Sequence, residues 1–513
     1  MPLGNGNTFV YRQGTICVLH GEEVRVSDLR SQSNTILNLA SIIRQTSTLP
    51  SGEFKTRLLN YSDGILAIYV TKIRGLDTSY IYAIDTAPDC PIGKRVIERI
   101  SLAVCDRLLV RHNSRYLYYV THTGRGHDGE RKWEIDGISL DIDFPLPSRE
   151  RPLLLDNFHG SDIGSTIAFE IHNDYFYAVS NQGSSEVEEM DYTSFYHVVR
   201  FPLNSPLPEA VEKNERLYRR QHKQGPIHDT WTDLTLQLDE RTNETVIVES
   251  RREWAQASSR QSRTFYATKL HFCNESTADM LDELLLPENG PLIHASTHPY
   301  SPGEPTPALY TWSQHPEYCS NDTTARRSFM LARTKFRGYN YGCTTFLDLV
   351  EDERCCNNAS QPPCLRLRVG SRRETGPHSP SSNSTGDRLP SFIDTSTQYR
   401  HSPIRMWPPP ASCCPCSERL HDIMNPVLYR NAAQSRNVTG VLDGDYFVYM
   451  VKPGRTYGLG DEAKVGSVVV VDFTPVANLS SKDTAADYSN LGQSSSWIWA
   501  PGQERRCREQ TCW

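Results

Sequence analysis

Short β-type runs recur along this chain at a spacing that few folds can use. "EVRVSDL" ends near Asp28, "YIYAIDT" near Asp85, "GISLDID" near Asp141, "YHVVRF" near Arg200, "YATKLHF" near His271, "TTFLDLV" near Asp348 and "VVVVDF" near Asp472. The intervals between these positions are 57, 56, 59, 71, 77 and 124 residues. A repeat that drifts upward in this way marks four-strand units carrying inserted loops, and units of ~40–50 residues with four strands each are the sequence form of propeller blades. Closing such units into a ring removes exposed sheet edges. The expectation is an all-β, β-propeller-like fold of about seven blades. Six or eight also fit, and the last interval has room for another unit. A β-sandwich or mixed β fold is the alternative reading of the same strands.

A second class of strand precedes the first. "SRYLYYVTHTG" (Ser114 to Gly124), "NDYFYAVSNQG" (Asn173 to Gly183) and "GDYFVYMVKPG" (Gly444 to Gly454) each run from a polar turn through an aromatic strand to a Gly exit. Asn-Asp and Asp-Gly pairs between runs supply the backbone conformations of tight hairpins. The 25 tyrosines suit a pleated, half-buried surface. An apolar fraction of 38% is low for a globular chain of 513 residues and points to a real core diluted by polar loops.

A net charge of −7 disfavours nucleic acid as the main partner, because phosphate binding needs a concentrated basic surface. "NERLYRRQHK" (Asn214 to Lys223) is a local basic run, read as a solvated loop or helix face. No apolar run approaches the ~18–20 residues of a membrane helix, and "MPLGNGNTFV" lacks the features of a secretory signal. The expectation is a cytoplasmic or nuclear chain. Its Asn-x-Ser/Thr sites at Asn60, Asn243, Asn274 and Asn437 would be unused and its 14 cysteines mostly reduced.

Helix is expected only in insertions. Ser276 to Leu286 has a capping-box-like start and Pro287 behind it, and Ser417 to Met424 is a second short candidate. Residues 371–391 are rich in Ser, Pro, Gly and charge and read as a disordered loop. The organisation is one propeller-like domain over 8–474 and a disordered tail over 475–513. Ring closure is expected to pair the edge of the first unit with "SVVVVDF".

No motif assigns catalytic, cofactor or metal residues. Cys413 and Cys416 have a zinc-type spacing, with Cys414 and His421 nearby and Cys355, Cys356 and Cys364 in another loop. No clean second pair follows, so they read as thiols in loops. "THTGRGHDGERKW" (Thr121 to Trp133) lacks the following helix and Gly-Lys-Ser/Thr of a phosphate loop, and reads as a hairpin loop. "HGSDIGS" (His159 to Ser165) has His159 where a nucleophile elbow around Ser161 needs Gly, and reads as a loop. An enzyme on this fold would gather Asp, His and Arg in the central channel, where shifted carboxylates and histidines in one pocket would reveal it.

Five strings resemble the C-terminal region of fungal F-box proteins, a large family of filamentous ascomycetes with a β-propeller-like body. They are "TFVYRQGTICVLHGEEVRVSDLRS", "NYSDGILAIYV", "SRTFYATKLHFCNESTADMLDELLLPENGP", "SPIRMWPPP" and "VLDGDYFVYMVKPG…VVVVDF", spread from Thr8 to Phe473. The resemblance implies a non-enzymatic protein-interaction domain, the substrate-recognition part of an SCF ubiquitin ligase receptor, with an unknown protein substrate as partner. An F-box, about forty helical residues opening on Leu-Pro, would dock the Skp-type adaptor. "LASIIRQTSTLPSGEF" (Leu39 to Phe54) contains Leu49-Pro50 but lacks the three-helix apolar pattern, so the F-box is expected to be absent from this chain. The alternatives are a propeller-fold enzyme with a central-channel site and an orphan scaffold protein.

Overall fold

The computed structural model describes residues 2–46, 54–72, 78–105, 107–182, 193–221, 232–254, 261–270, 272, 314–316, 333–352, 363–374, 393–394, 399–401, 405–426, 436–454 and 464–474. These residues form seven small antiparallel sheets, a seven-bladed β-propeller. Blade 1 is Thr8–Arg12, Thr15–His20, Glu23–Asp28 and Asn34–Asn38; blade 2 is Phe54–Ser62, Ile65–Lys72, Thr78–Asp85 and Val96–Ala103. Blade 3 is Leu108–His112, Tyr116–Arg125, Arg131–Ser139 and Leu153–Leu155; blade 4 is Ile167–His172, Tyr175–Ser180, Thr193–Pro202 and Glu212–Gln221. Blade 5 is Asp233–Asp239, Glu244–Trp254, Gln261–Lys269 and Gln314–Pro316. Blade 6 is built on Thr334–Asn340, Thr345–Asp352 and Cys364–Glu374, edged by Arg405–Trp407. Blade 7 takes Arg436–Leu442, Tyr446–Pro453 and Gly466–Asp472 from the far end of the chain and Pro2–Gly6 from its beginning.

That last strand corrects the expected closure. "SVVVVDF" does meet the start of the chain, but it pairs with Pro2–Gly6, through Pro2 to Val469 and Gly6 to Gly466, and not with the edge of the first unit. Only Asn7 separates this latch from blade 1. A side chain at Gly6 would collide with Val18 and with the Leu19 carbonyl.

The recurring aspartates mark the ends of third strands. Asp28 Oδ1 accepts the amides of Arg30 and Ser31, Asp85 that of Ala87, Asp141 that of Asp143 and Asp472 that of Thr474. In the first three the carboxylate closes the turn into the outer strand, and in the last it closes the turn at Thr474. "TTFLDLV" is the exception, because it is the second strand of blade 6. The third strand there, Cys364–Glu374, has no aspartate ending and runs into the stretch read as a loop from residue 371. The long last interval therefore holds no additional blade. Hairpins between first and second strands use positive φ at both turn residues, at Gln13–Gly14 (54°, 82°), Asp63–Gly64 (49°, 78°) and Asn173–Asp174 (49°, 59°), the geometry of type I′ turns.

The core is a set of slabs. Seven apolar clusters lie one in each interface between neighbouring blades. Blades splay apart toward the rim, so the outer part of each wedge needs filling. Helix α1, Leu39–Thr46, buries Leu39, Ala40, Ile42 and Ile43 in the wedge of blades 1 and 2. This helix was not foreseen. Helix α2, Pro415–Met424, two residues longer than expected, puts Met424 into the wedge of blades 6 and 7. The wedge of blades 3 and 4 keeps an open cavity of about 110 Å³ lined by Leu155, Phe158, Val199, Val211 and Lys213.

The basic run at Asn214 to Lys223 is neither a loop nor a helix face: through Gln221 it lies in the outer strand of blade 4. Arg219 reaches into blade 5, where the fully buried Glu249 receives Nε at 3.2 and 3.1 Å and Nη2 at 2.6 Å. Arg251 at 2.7 Å, Tyr196 Oη at 2.6 Å and Asn181 Nδ2 at 3.0 Å complete the shell. Burial alone would raise this carboxyl, and the two guanidiniums overcome it and hold it far below the usual range. The expected helix at Ser276 to Leu286, Cys355, Cys356, residues 375–392 and the tail 475–513 lie outside the described residues.

Candidate functional site

The first strands of neighbouring blades pack on one another in five of the seven interfaces, and Arg337 joins that of blade 6 to that of blade 5, so the first strands line the central channel. Their sequences carry Arg12, Lys55, Arg57, Arg111, Lys335, Arg337 and Arg436 against Glu170, Asp233 and Asp239. Lys335 pairs with Glu351 of the next strand at 3.3 Å, and Arg436 bonds Asn425 and the Pro363 carbonyl. Asp233 neutralises Arg337 at 2.9 Å between blades 5 and 6.

Every blade is an antiparallel meander, so the turns after first and third strands open on one face and the other connections on the opposite face. Near the first of these faces the channel is crossed by an ion pair. Arg12, the last residue of its strand in blade 1, places Nη1 2.9 Å from Glu170 Oε1 of blade 4, three blades away around the ring. Arg111 of blade 3 donates Nε to the other carboxylate oxygen at 3.1 Å and Nη1 to the Val110 carbonyl at 3.0 Å. Burial would raise the Glu170 carboxyl, but Arg111 and Arg12 outweigh it and hold it at about 2. His172, two residues on, is pushed down by burial, with Glu170 opposing that shift. His112, 1% exposed, is pushed down to about 4 by burial. Glu170 is thus held ionised by two guanidiniums, while burial lowers both His112 and His172.

The two polar loops read from sequence come together on the opposite face. The hairpin loop of "THTGRGHDGERKW" joins the second and third strands of blade 3, and "HGSDIGS" lies in the connection to blade 4, both as expected. His127 bonds Asp156 twice, from its backbone N at 3.0 Å and through Nδ1 at 2.5 Å, and Lys132, only 3% exposed, bonds Asp128 at 2.6 Å. The hydrogen bond from His127 lowers the Asp156 carboxyl, and burial, then Lys132, lowers His159. Sequence offered His127 within its loop but not Asp156, and their meeting needs the fold. Ser161 takes no part: its backbone N donates to Thr166 Oγ1 at 3.2 Å.

The cysteines are placed apart by role. Cys364 is buried at the start of its strand, Cys413 ends a short turn of 3-10 helix, and Cys414 caps α2 by accepting the Ser417 amide. His421 faces the Pro409 carbonyl at 2.8 Å. Among the described residues no three His, Cys, Asp or Glu side chains are arranged to hold a metal ion. No helix among them is long and apolar enough to cross a membrane.

No protein-family model matches the chain, and no curated protein matches it. Some solved structures are similar to it at low values. The extracellular domains 1–2 of Drosophila Semaphorin 1a are 11% identical, with 99% of this chain and 98% of that chain covered and a TM-score of 0.33. The alpha-L-arabinofuranosidase of Lactobacillus brevis is 13% identical over 53% of this chain and 92% of that one, with a TM-score of 0.24. The fission yeast SREBP-SCAP binding domains are 8% identical over 52% and 62%, with a TM-score of 0.26. At such values these likenesses carry no argument about function.

Proposed function

We propose that this chain is a non-enzymatic protein-recognition propeller, working as the substrate-side body of an F-box-type ubiquitin ligase receptor. The observation that carries the non-enzymatic reading is the state of the channel. Glu170 is fixed between two guanidiniums and His112 is buried and neutral, so neither is poised to exchange protons near neutral pH. A ring of blades held by seven apolar slabs is a rigid mount, and loops on a rigid mount suit recognition. The ligase role rests on the resemblance of the quoted strings alone.

The test is affinity purification of the complete gene product co-expressed with a Skp-type adaptor, followed by ubiquitination assays on co-purifying proteins. The expected result is a stoichiometric adaptor and a protein ubiquitinated only when the propeller is intact. Absence of the adaptor sinks the ligase role and leaves a scaffold. Turnover of a glycoside panel by the purified chain sinks the non-enzymatic reading.

A further inference from the structure

Arg57 lies in the channel-lining strand of blade 2, and its Nε and Nη2 are buried without a hydrogen-bond partner. These two nitrogens form one edge of the guanidinium plane, the edge that takes a carboxylate with two parallel bonds. The same molecule uses that edge repeatedly. Arg219 places Nε and Nη2 on Glu249, Arg200 on Glu212 at 3.0 and 2.7 Å, and Arg368 on Asp348 at 3.1 and 2.6 Å. Arg57 presents the edge with no carboxylate on it.

Its surroundings share the deficit. A β-bulge between Leu58 and Asn60 brings Asn60 onto the same face as Arg57, since their cross-strand partners are Ala67 and Tyr69, two residues apart. The Tyr69 ring lies under the guanidinium, 5.2 Å from Cζ to centroid. Asn60 Nδ2 and Tyr69 Oη are also without partners, in side chains only 7% exposed. Across the interface, His112 of blade 3 makes no well-formed hydrogen bond from either ring nitrogen, with the Asn60 backbone beside it. A desolvated, unpaired donor is costly, and a charged one more so. Four such side chains lie in one interface beside the bulge, a cationic, donor-rich cluster in which no protein acceptor meets the Arg57 edge.

We propose that Arg57, with Asn60 and Tyr69, binds a carboxylate entering the channel from outside. The donor set is cationic and rich in N–H and O–H groups, and the free edge matches a planar acid. The Arg12–Glu170 pair crosses the channel below it, so the ligand enters from the opposite face. The inference does not depend on the recognition role proposed above, because a free organic acid would fill the site as well as an acidic side chain of a partner.

The experiment titrates the purified chain at constant ionic strength with acetate, with N-acetylglutamic acid amide as a side-chain mimic, and with inorganic phosphate. Calorimetry and the shift of the thermal midpoint are read together. Saturable acetate binding is expected, stronger than phosphate, reduced about tenfold or more in Arg57→Gln and unchanged in Arg131→Gln, an exposed control with the same charge loss. Arg57→Lys keeps the charge without the fork and should fall between them, which covers the case of a glutamine variant that does not fold. Tighter binding of the glutamate mimic than of acetate assigns the ligand to a protein side chain, and the reverse order assigns a free acid. Absence of saturable binding to either acid, equal binding by Arg57→Gln, or equal loss in Arg131→Gln overturns the proposal.

Discussion

Replacing Glu170 with glutamine tests whether the ion pair across the channel holds the ring. The carboxyl is held at about 2 against an ordinary value of 4.5, and its side chain is 16% exposed. A depression of that size corresponds to about 3 kcal/mol of linkage free energy. The folded-state value lies below the unfolded one, so this stability is fully present above pH ~4.5 and disappears as the pH falls through the folded value. Glu170→Gln should therefore unfold about 3 kcal/mol more easily than the parent at pH 7. The gap should narrow below pH 4.5 and close near pH 2. Urea denaturation of both proteins at intervals from pH 7 to pH 2.5 measures it, with equal m-values as the check that one transition is compared. A gap that stays constant with pH would refute the linkage, and a gap under 1 kcal/mol at pH 7 would show that the pair across the channel contributes little.

Three further outcomes follow from the packing. Glu249→Met leaves Arg219 and Arg251 buried without a counter-charge and should cost about 3–5 kcal/mol in the same assay, with the loss traced to blades 4 and 5 by hydrogen exchange. Gly6→Val should unseat the latch, so that the amides of Ser467 to Val469 exchange faster while those of blade 3 do not change. Gly137→Ala should cost about 1–3 kcal/mol, since the added Cβ would lie 2.5 Å from the Tyr118 ring opposite it; an unchanged melting midpoint would contradict that packing.

The blades were legible in the sequence because their turns are made by side chains that sequence displays. Asp28, Asp85, Asp141 and Asp472 each close a turn with their own carboxylate, so the repeat of the structure is a repeat of residues. Blade 6 broke the reading because its apparent marker, Asp348, answers to Arg368 in the buried interior of the blade and not to a turn. Arg219 was misplaced for a related reason: charge runs are usually solvated, and only the fold brings Glu249 of the next blade to meet it. Helix α1 escaped because eight residues between two blades offer little period to read, and its burial depends on a wedge that exists only once both blades have formed. The channel site was invisible for the plainest physical reason. Arg12, Arg111 and Glu170 come from three different blades, and no spacing along the chain relates them.

The latch also sets an order of events during synthesis. Pro2–Gly6 is made before the other six blades, but its pairing partner Gly466–Asp472 only after them. Six blades can assemble in turn from contacts close in sequence, while the seventh needs strands that lie on either side of all of them in the sequence. Until then the edge of Gly466–Asp472 and the apolar faces flanking blade 7 remain open. The nascent ring is most exposed to aggregation at the moment of its completion, and a chaperone that shields it would act on that one seam.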